Sequence, residues 1–403
     1  KLEPDVYVKG DEYADVKNDL TGKIVEEKNA VASVGGQIHF TSAETYSSSS
    51  LINSQFKLLP AATEEWLGEF RKTYSVQDVL AGFDKISECN ALVIGEAIID
   101  EYVFCDALGK SAKDPILAFK YGSTETYSGG SLAVANHMAG FIKNVGLLTV
   151  LGEEKSREGF ILNSLRDNVQ ANFVMGPRAP TIHKRRFIDR HSGTKSFELY
   201  EMVDQPLSKG VESEILQKLK AIISDYDMVV VTDYGHGMLT PAIIELLVNK
   251  AKFLSINTQA NAGNRGFNTL TRYSRADYVS LSGNELELEI RAREQPMSDL
   301  LARLSGQIDC SHFTITLGKD GSLHYDRDTG FYEVPALAAK VIDRVGAGDA
   351  VLAVTTPLVL KSVSWDIIGF LGNLAGAEML GYLGNRNYLD RVNMSKHVTS
   401  LLK

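Results

Sequence analysis

Cysteine is scarce. The 403 residues hold three, Cys89, Cys105 and Cys310, far apart and in no CxxC or Cys/His arrangement. That excludes a disulfide framework and a structural zinc site, and it fits reduced thiols in a cytoplasmic protein. The eight histidines are equally dispersed, with no HExxH or HxxxH pair. Long apolar runs are missing too: none approaches the roughly 20 residues of a bilayer crossing. The N-terminus lacks the basic, apolar, small-residue order of a signal peptide. Positive charge is in deficit, 42 Lys and Arg against 51 Asp and Glu. The resulting net charge of −9 excludes a general affinity for nucleic acid or anionic membrane, though not a local basic site. A first methionine is absent as well, and Lys1 is read as the start of a piece of something longer.

What is present is ordinary globular material, 44% apolar and 23% charged. Residues 1–53 carry strand-like stretches ("DVYVKG", "VASVGGQIHF"), one short helix candidate between them, and "TYSSSSLIN" as a polar loop opening a helix. Two or three elements bury too little surface to fold alone. From 61 to 87 the spacing turns helical, and Ser75 with Asp78 makes a capping box. At 91 the run "ALVIGEAIID" reads as a buried strand. Strands then alternate with helical spacers at 132–143, 156–168, 211–224, 241–251 and 284–304. Such alternation implies a mostly parallel α/β sheet covered by helices on both faces, with ligands beyond the strand C-termini. The stretches "EYVFCDALGK...ILAFKYGSTETYSGG" and "TIHKRRFIDRHSGTKSFELYEM" alternate polar with apolar residues instead, which implies a small second β-sheet. The expected organisation is an N-terminal segment 1–56, a helical linker 57–89 and a main domain 90–403, with the small sheet from about 101–128 and 180–203.

The stretch "VIDRVGAGDA" at 341–350 is the most informative. Gly346, Ala347 and Gly348 let successive N–H groups point one way at the start of an apolar helix, an arrangement that holds anions. Asp349 either complements the helix dipole in a plain connection or stands beside a bound phosphate as a base. Lys184, Arg185 and Arg186 form a basic cluster, either a solvated strand face or a site for a substrate phosphate. His183, His236 and Tyr234 read as structural groups. Pro357, ten residues into the helix, is expected to kink or end it.

The order of motifs resembles the PfkB, or ribokinase-like, family of sugar kinases. "DRVGAGD" at 343–349 is similar to the family's D-T-x-G-A-G-D, and "VIGEAIIDEY" to its opening strand with a sugar-binding aspartate, here Asp100. "SGGSLAVAN" at 128–136 resembles the di-glycine segment, "TDYGHGML" at 232–239 the strand end before the site, and "TLGKDG" at 316–321 the turn beside the nucleotide phosphates. Within the family, the kinase half of bifunctional ADP-heptose synthesis enzymes looks closest. Residues 5–53 resemble the closing part of a cytidylyltransferase-like nucleotidyltransferase, without its HxGH motif, since no histidine precedes His39.

The resemblance implies a ribokinase-like α/β fold with a β lid, and ATP and Mg2+ as cofactors. Asp349 would be the general base, and the amides of Gly346, Ala347 and Gly348 the anion hole. Asp100, Gly129 and Gly130 would orient the sugar or sugar phosphate, with Asn136 and Asp233 as further contacts and Lys184 and Arg186 on its phosphate. Thr316, Gly318 and Gly321 would flank the nucleotide phosphates, Asp343 would lie on the cofactor side, Asn373 by the adenine, and Glu285 would organise magnesium through water. The lid would exclude water and pair two subunits into a homodimer. Departures from the family pattern are Glu96 for aspartate, Ala133 and Ser282 for asparagine, Arg344 for threonine, and "SINTQANAGN" where D-P-K is usual. Two other readings stay open: a non-catalytic sugar-nucleotide sensor or scaffold, and part of a sugar nucleotidyltransferase.

Overall fold

The structure is a computed structural model that describes residues 3–10, 23–41 and 59–403. The chain divides into two units, Lys1–Leu80 with Arg391–Lys403, and Ala81–Asp390. In the first, β1 (Val6–Gly10) and β2 (Gln37–Thr41) pair in parallel. Parallel neighbours need a crossover, and α1 (Ile24–Ser33) supplies it, burying Ile24 and Val31. Helix α2 (Ala61–Thr73) buries Thr63, Leu67 and Phe70, spaced four and three apart on one face. Helix α3 (Val76–Ile86), whose residues fall in both units, starts at the expected box: Asp78 accepts from the Ser75 N–H and hydroxyl, and Ser75 Oγ accepts from the Asp78 N–H. The "TYSSSSLIN" reading lies outside the described residues.

In the second unit, the run read as one strand is two. β3 (Asn90–Gly95) belongs to the large sheet and β4 (Ala97–Lys110) to the small one, with Glu96 at the switch. A long hairpin takes β4 into β5 (Leu117–Gly130), followed by α4 (Ser131–Ala139), β6 (Asn144–Glu154), α5 (Glu158–Ser164) and β7 (Val169–Pro180). Then come β8 (Ile182–Asp189), β9 (Lys195–Glu201), α6 (Lys209–Ile222), β10 (Met228–Asp233), α7 (Pro241–Lys250), β11 (Leu254–Thr258) and β12 (Tyr278–Ser282). The spacer at 284–304 is two helices, α8 (Gly283–Ile290) and α9 (Met297–Ser305), because the backbone turns left-handed at Arg291 and Pro296 starts the second. The remainder is β13 (His312–Thr316), β14 (Ser322–Asp326), β15 (Gly330–Val334), α10 (Ala347–Leu360) and α11 (Trp365–Leu380).

The large sheet has nine strands in the order β15-β14-β13-β12-β11-β10-β3-β6-β7. It is parallel from β13 to β7 and antiparallel at β14 and β15. Its middle strands are buried on both faces, as their unbroken apolar runs require: every residue of β10 is buried. The small sheet has the order β5-β4-β8-β9. Helix α10 is buried from Asp349 to Val359 and does not end at Pro357 but three residues later. Proline there forfeits a single hydrogen bond within the last turn, and burial on every side holds the helix past it.

Candidate active site

β3, β10, β11, β12 and β13 run parallel, so their C-termini share one edge of the sheet, and the candidate residues gather along it. Glu96, at the step from β3 to β4, is buried. Its carboxylate accepts from the N–H groups of Tyr234 (3.0 Å), His236 (3.0 Å) and Met238 (3.4 Å), fixing the loop after β10. Burial, and after it the charge of Asp233, pushes Glu96 up to about 7 against those donors.

The glycine turn caps α10. Gly346 has φ 85°, the helix has no side-chain cap, and the N–H groups of Gly346, Ala347 and Gly348 meet no acceptor among the described residues. A Cβ on Gly346 would lie 2.3 Å from Asn385 Oδ1, whereas one on Gly348 would meet nothing within 4 Å. One flank of the turn is therefore closed by protein and the other open. Asp349 follows in the first turn and accepts from the Tyr234 hydroxyl at 2.9 Å. Burial pushes its carboxyl up to about 6; the Tyr234 hydroxyl and Lys184 oppose that, while the charges of Asp100 and Glu285 add to it. The result is a carboxylate with basicity near neutrality at the mouth of a set of unpaired N–H donors.

Asp343, expected on the cofactor side, is taken up by the protein. It accepts from Tyr102 Oη (3.0 Å), from the N–H groups of Arg344 (2.7 Å), Val345 (3.3 Å) and Gly384 (3.1 Å), and from Lys195 Nζ of β9. Burial raises its pKa, but Lys195, Tyr102 and Val345 outweigh that and hold it below the usual carboxylate range. It anchors the turn rather than presenting a free charge. Arg344 is exposed, and its guanidinium makes no ion pair among the described residues.

β4 and β8 pair in parallel with Asp100 opposite Lys184 and Tyr102 opposite Arg186. Period-two alternation therefore sends Lys184 and Arg186 to one face and His183 and Arg185 to the other. The basic cluster is not a solvated strand face: Lys184 is 5% and Arg186 7% exposed. Arg185 and His183 face Glu101 instead, at 2.7 and 3.2 Å. Arg186 donates to Asp100 Oδ1 and, through Nε, to Glu198 at 3.0 Å. Lys184 has no ion pair among the described residues; its Nζ lies 5.2 Å from the centre of the Tyr200 ring. Burial lowers its pKa, with Asp100 opposing. A Cβ on Gly129 would fall 2.0 Å from Asp100 Oδ2, so only glycine lets that carboxylate pack there, and Gly130 caps α4.

Other expected contacts are turned elsewhere. The Asn136 amide donates to Ser164 O and accepts from the Arg166 N–H, both at 2.9 Å, which leaves little for a sugar. The Asp233 carboxylate accepts from the Gly235 N–H (3.0 Å), Tyr273 Oη (2.8 Å) and Arg272 (3.4 Å). Asn373 donates to the carbonyls of Val334 and Pro335, both at 3.0 Å. Thr316 ends β13, and Gly318 and Gly321 bound the turn into β14. Glu285 closes a capping box on Ser282, the position where asparagine was expected, and accepts from the Ala260 N–H at 3.1 Å. Sequence reading missed the bond of Tyr234 to Asp349. Its signal was position, one residue past the end of a parallel strand.

The pfkB family of carbohydrate kinases matches residues 90–391. The bifunctional protein HldE of Histophilus somni is 22% identical over 302 residues, 74% of this chain and 62% of the relative. That of Campylobacter jejuni subsp. jejuni is 25% identical over 312 residues, 76% and 64%. The chain thus spans less than two thirds of the length of these curated relatives. Among solved structures, Escherichia coli phosphofructokinase-2 in complex with fructose-6-phosphate superposes with a TM-score of 0.62 at 15% identity, covering 79% of this chain and 100% of that one. Arabidopsis thaliana ribokinase complexed with ribose and ATP gives 0.56 at 16%, covering 78% and 99%. These likenesses establish the ribokinase-like fold. With five motifs in order and a family match over 90–391, the chain belongs to the pfkB family of carbohydrate kinases.

Proposed function

We propose that this chain transfers the γ-phosphoryl group of ATP to a hydroxyl of a sugar phosphate, a heptose 7-phosphate-like acceptor being favoured. The observation that carries this reading is the start of α10, where Asp349 sits beside three N–H groups without acceptors among the described residues. The acceptor lies against Asp100 and the Gly129–Gly130 turn, with its phosphate on Lys184 and Arg186. Its hydroxyl oxygen attacks the γ-phosphorus as the bond to the bridging oxygen of ADP breaks, and the hydroxyl proton passes to Asp349. The amides of Gly346, Ala347 and Gly348 hold the phosphoryl oxygens as charge redistributes. Thr316, Gly318 and Gly321 flank the nucleotide phosphates, and Asn373 holds the backbone of Val334 and Pro335 on the nucleotide side.

Magnesium fits as an ion that arrives with ATP. Among the described residues no group of three His, Cys, Asp or Glu could hold a metal, and the Glu285 carboxylate already accepts from Ser282 and Ala260, which suits it to orient metal-bound water. When bound, the ion neutralises charge on the phosphates. Residues 1–56 are read as the tail of a nucleotidyltransferase-like domain, to which the parallel β1-α1-β2 unit conforms. A homodimer through the lid is supported by exposed apolar side chains there, Leu108, Ile116, Leu117, Tyr121, Phe197 and Leu199. Among the described residues no helix is long and apolar enough to cross a membrane, in keeping with a cytoplasmic enzyme. ATP consumption with magnesium across hexose 6-phosphates, heptose 7-phosphates and the free sugars tests the reading. Turnover confined to phosphorylated acceptors is expected; none with any of them would favour the non-catalytic sensor.

A further inference from the structure

We infer that Asn385 is a substrate contact, its side-chain amide hydrogen-bonding the acceptor sugar at the seam between Asp100 and the glycine turn. The inference rests on the proposed phosphoryl transfer for the identity of the ligand, and on geometry for the site. Asn385 lies in the segment after α11, and the chain is pinned on both sides of it. The Gly384 N–H donates to Asp343 Oδ2 at 3.1 Å, Arg386 bonds Glu125 and Tyr127 of β5, and the Leu389 N–H donates to His137 Nδ1 at 3.1 Å. The residue is 2% exposed, yet neither Oδ1 nor Nδ2 has a hydrogen-bond partner among the described residues. Other buried amides of this unit are satisfied: Asn136 uses both its oxygen and its nitrogen, and so does Asn264. A primary amide buried without partners is costly and calls for an explanation.

Its position supplies one. Oδ1 lies 2.3 Å from where a Gly346 Cβ would be. Nδ2 lies 3.5 Å from a Cβ on Gly129, itself 2.0 Å from Asp100 Oδ2. The amide thus stands between the two glycine turns, with its oxygen toward the phosphoryl end and its NH2 toward the acceptor end. The phosphoryl end already offers three N–H donors. A sugar hydroxyl both donates and accepts, and an amide with both capacities unused matches it. Neither Gly129 nor Gly346 puts a side chain of its own against this amide.

The test compares Asn385→Ala and Asn385→Leu with the unaltered protein, using a heptose 7-phosphate and fructose 6-phosphate as probes with magnesium and ATP. Expected are an acceptor KM raised at least tenfold, an ATP KM within twofold, and loss of the rise in Tm that the sugar phosphate produces. The ligand-free Leu variant, which no longer buries an unsatisfied amide, should melt at or above the unaltered protein. An unchanged acceptor KM alongside normal turnover overturns the inference alone. So does a drop in ligand-free Tm in both variants with the sugar-induced rise preserved, the mark of a purely structural amide. If the unaltered protein shows no turnover but a sugar-induced rise in Tm that Asn385→Ala abolishes, phosphoryl transfer falls and the contact stands. Neither turnover nor a Tm rise with either probe overturns both.

Discussion

At the start of α10, three N–H groups have no acceptor among the described residues and Asp349 accepts from one hydroxyl, whereas around Asp100 the charges are largely matched within the chain. Arg186 bonds Asp100 and Glu198 together, and Lys184 has no ion pair among the described residues. The two ends are prepared differently. The first can receive an anion with no side chain moving, since its donors are backbone and are fixed by a helix that is buried from Asp349 to Val359. At the second, a phosphorylated acceptor must compete with carboxylates for Arg186, and a buried ion pair is costly to break from one side. On the proposed reading Lys184 is then the ready cation, and selectivity for a phosphorylated acceptor would belong to this end.

The comparison breaks most directly at Asp349. Asp349→Asn should lower kcat by about 10²- to 10⁴-fold with ATP affinity by calorimetry unchanged, the range of a lost general base; unaltered turnover would remove Asp349 from that role. Gly129→Ala acts on the other end alone. Its methyl would meet Asp100 Oδ2 at 2.0 Å, so acceptor KM should rise about tenfold or more. ATP KM should stay put, and a parallel rise in both constants would mean that the two ends are not separable. Lys184→Met keeps the stem and removes the charge. It should reduce the preference for phosphorylated over free sugar by about tenfold, the effect of one lost charge-assisted contact.

Tyr234→Phe sharpens the electrostatics. With Asp349 at about 6, kcat/KM should rise with pH through about 6 as the base ionises. The Tyr234 hydroxyl bond lowers that pKa, so its removal should move the acid limb upward, and a downward shift would contradict the assignment. Folding carries the opposite sign. Asp349 and Glu96 are both carboxyls raised in the folded state, to about 6 and about 7. The stability they contribute is fully present below the unfolded carboxylate range and is lost as pH rises through those values. The smallest effect belongs to Arg344→Thr. Loss of an exposed guanidinium without an ion pair among the described residues should change kcat and both KM values by no more than about twofold.

Much of this was legible in the sequence. Alternating strand and helix runs implied the parallel sheet, because strands buried on both faces must be apolar throughout. The glycine at 346 marked a turn whose left-handed backbone favours glycine, and Asp349 stood beside it by chain adjacency alone. Lys184, Arg185 and Arg186 read as one basic cluster; that the strand parts them between two faces, and which face is buried, followed from the pairing of β8 with β4. The one run ALVIGEAIID hid a switch between sheets, since both halves are buried and periodicity cannot distinguish two buried strands from one.

By itself the sequence determined the fold class, the family, and the groups that chain adjacency places together: the glycine turn with Asp349 and the capping box at Ser75. Tertiary structure decided the rest. Tyr234 meets Asp349 across 115 residues, Tyr102 meets Asp343 across 241, and Asn385 closes on Gly346 and Gly129 from the end of the unit. Such pairs leave no local signature, because propensity and periodicity report the few residues nearest in sequence. A carboxylate's partners and burial are set by whichever distant segments the packed sheet brings to its edge.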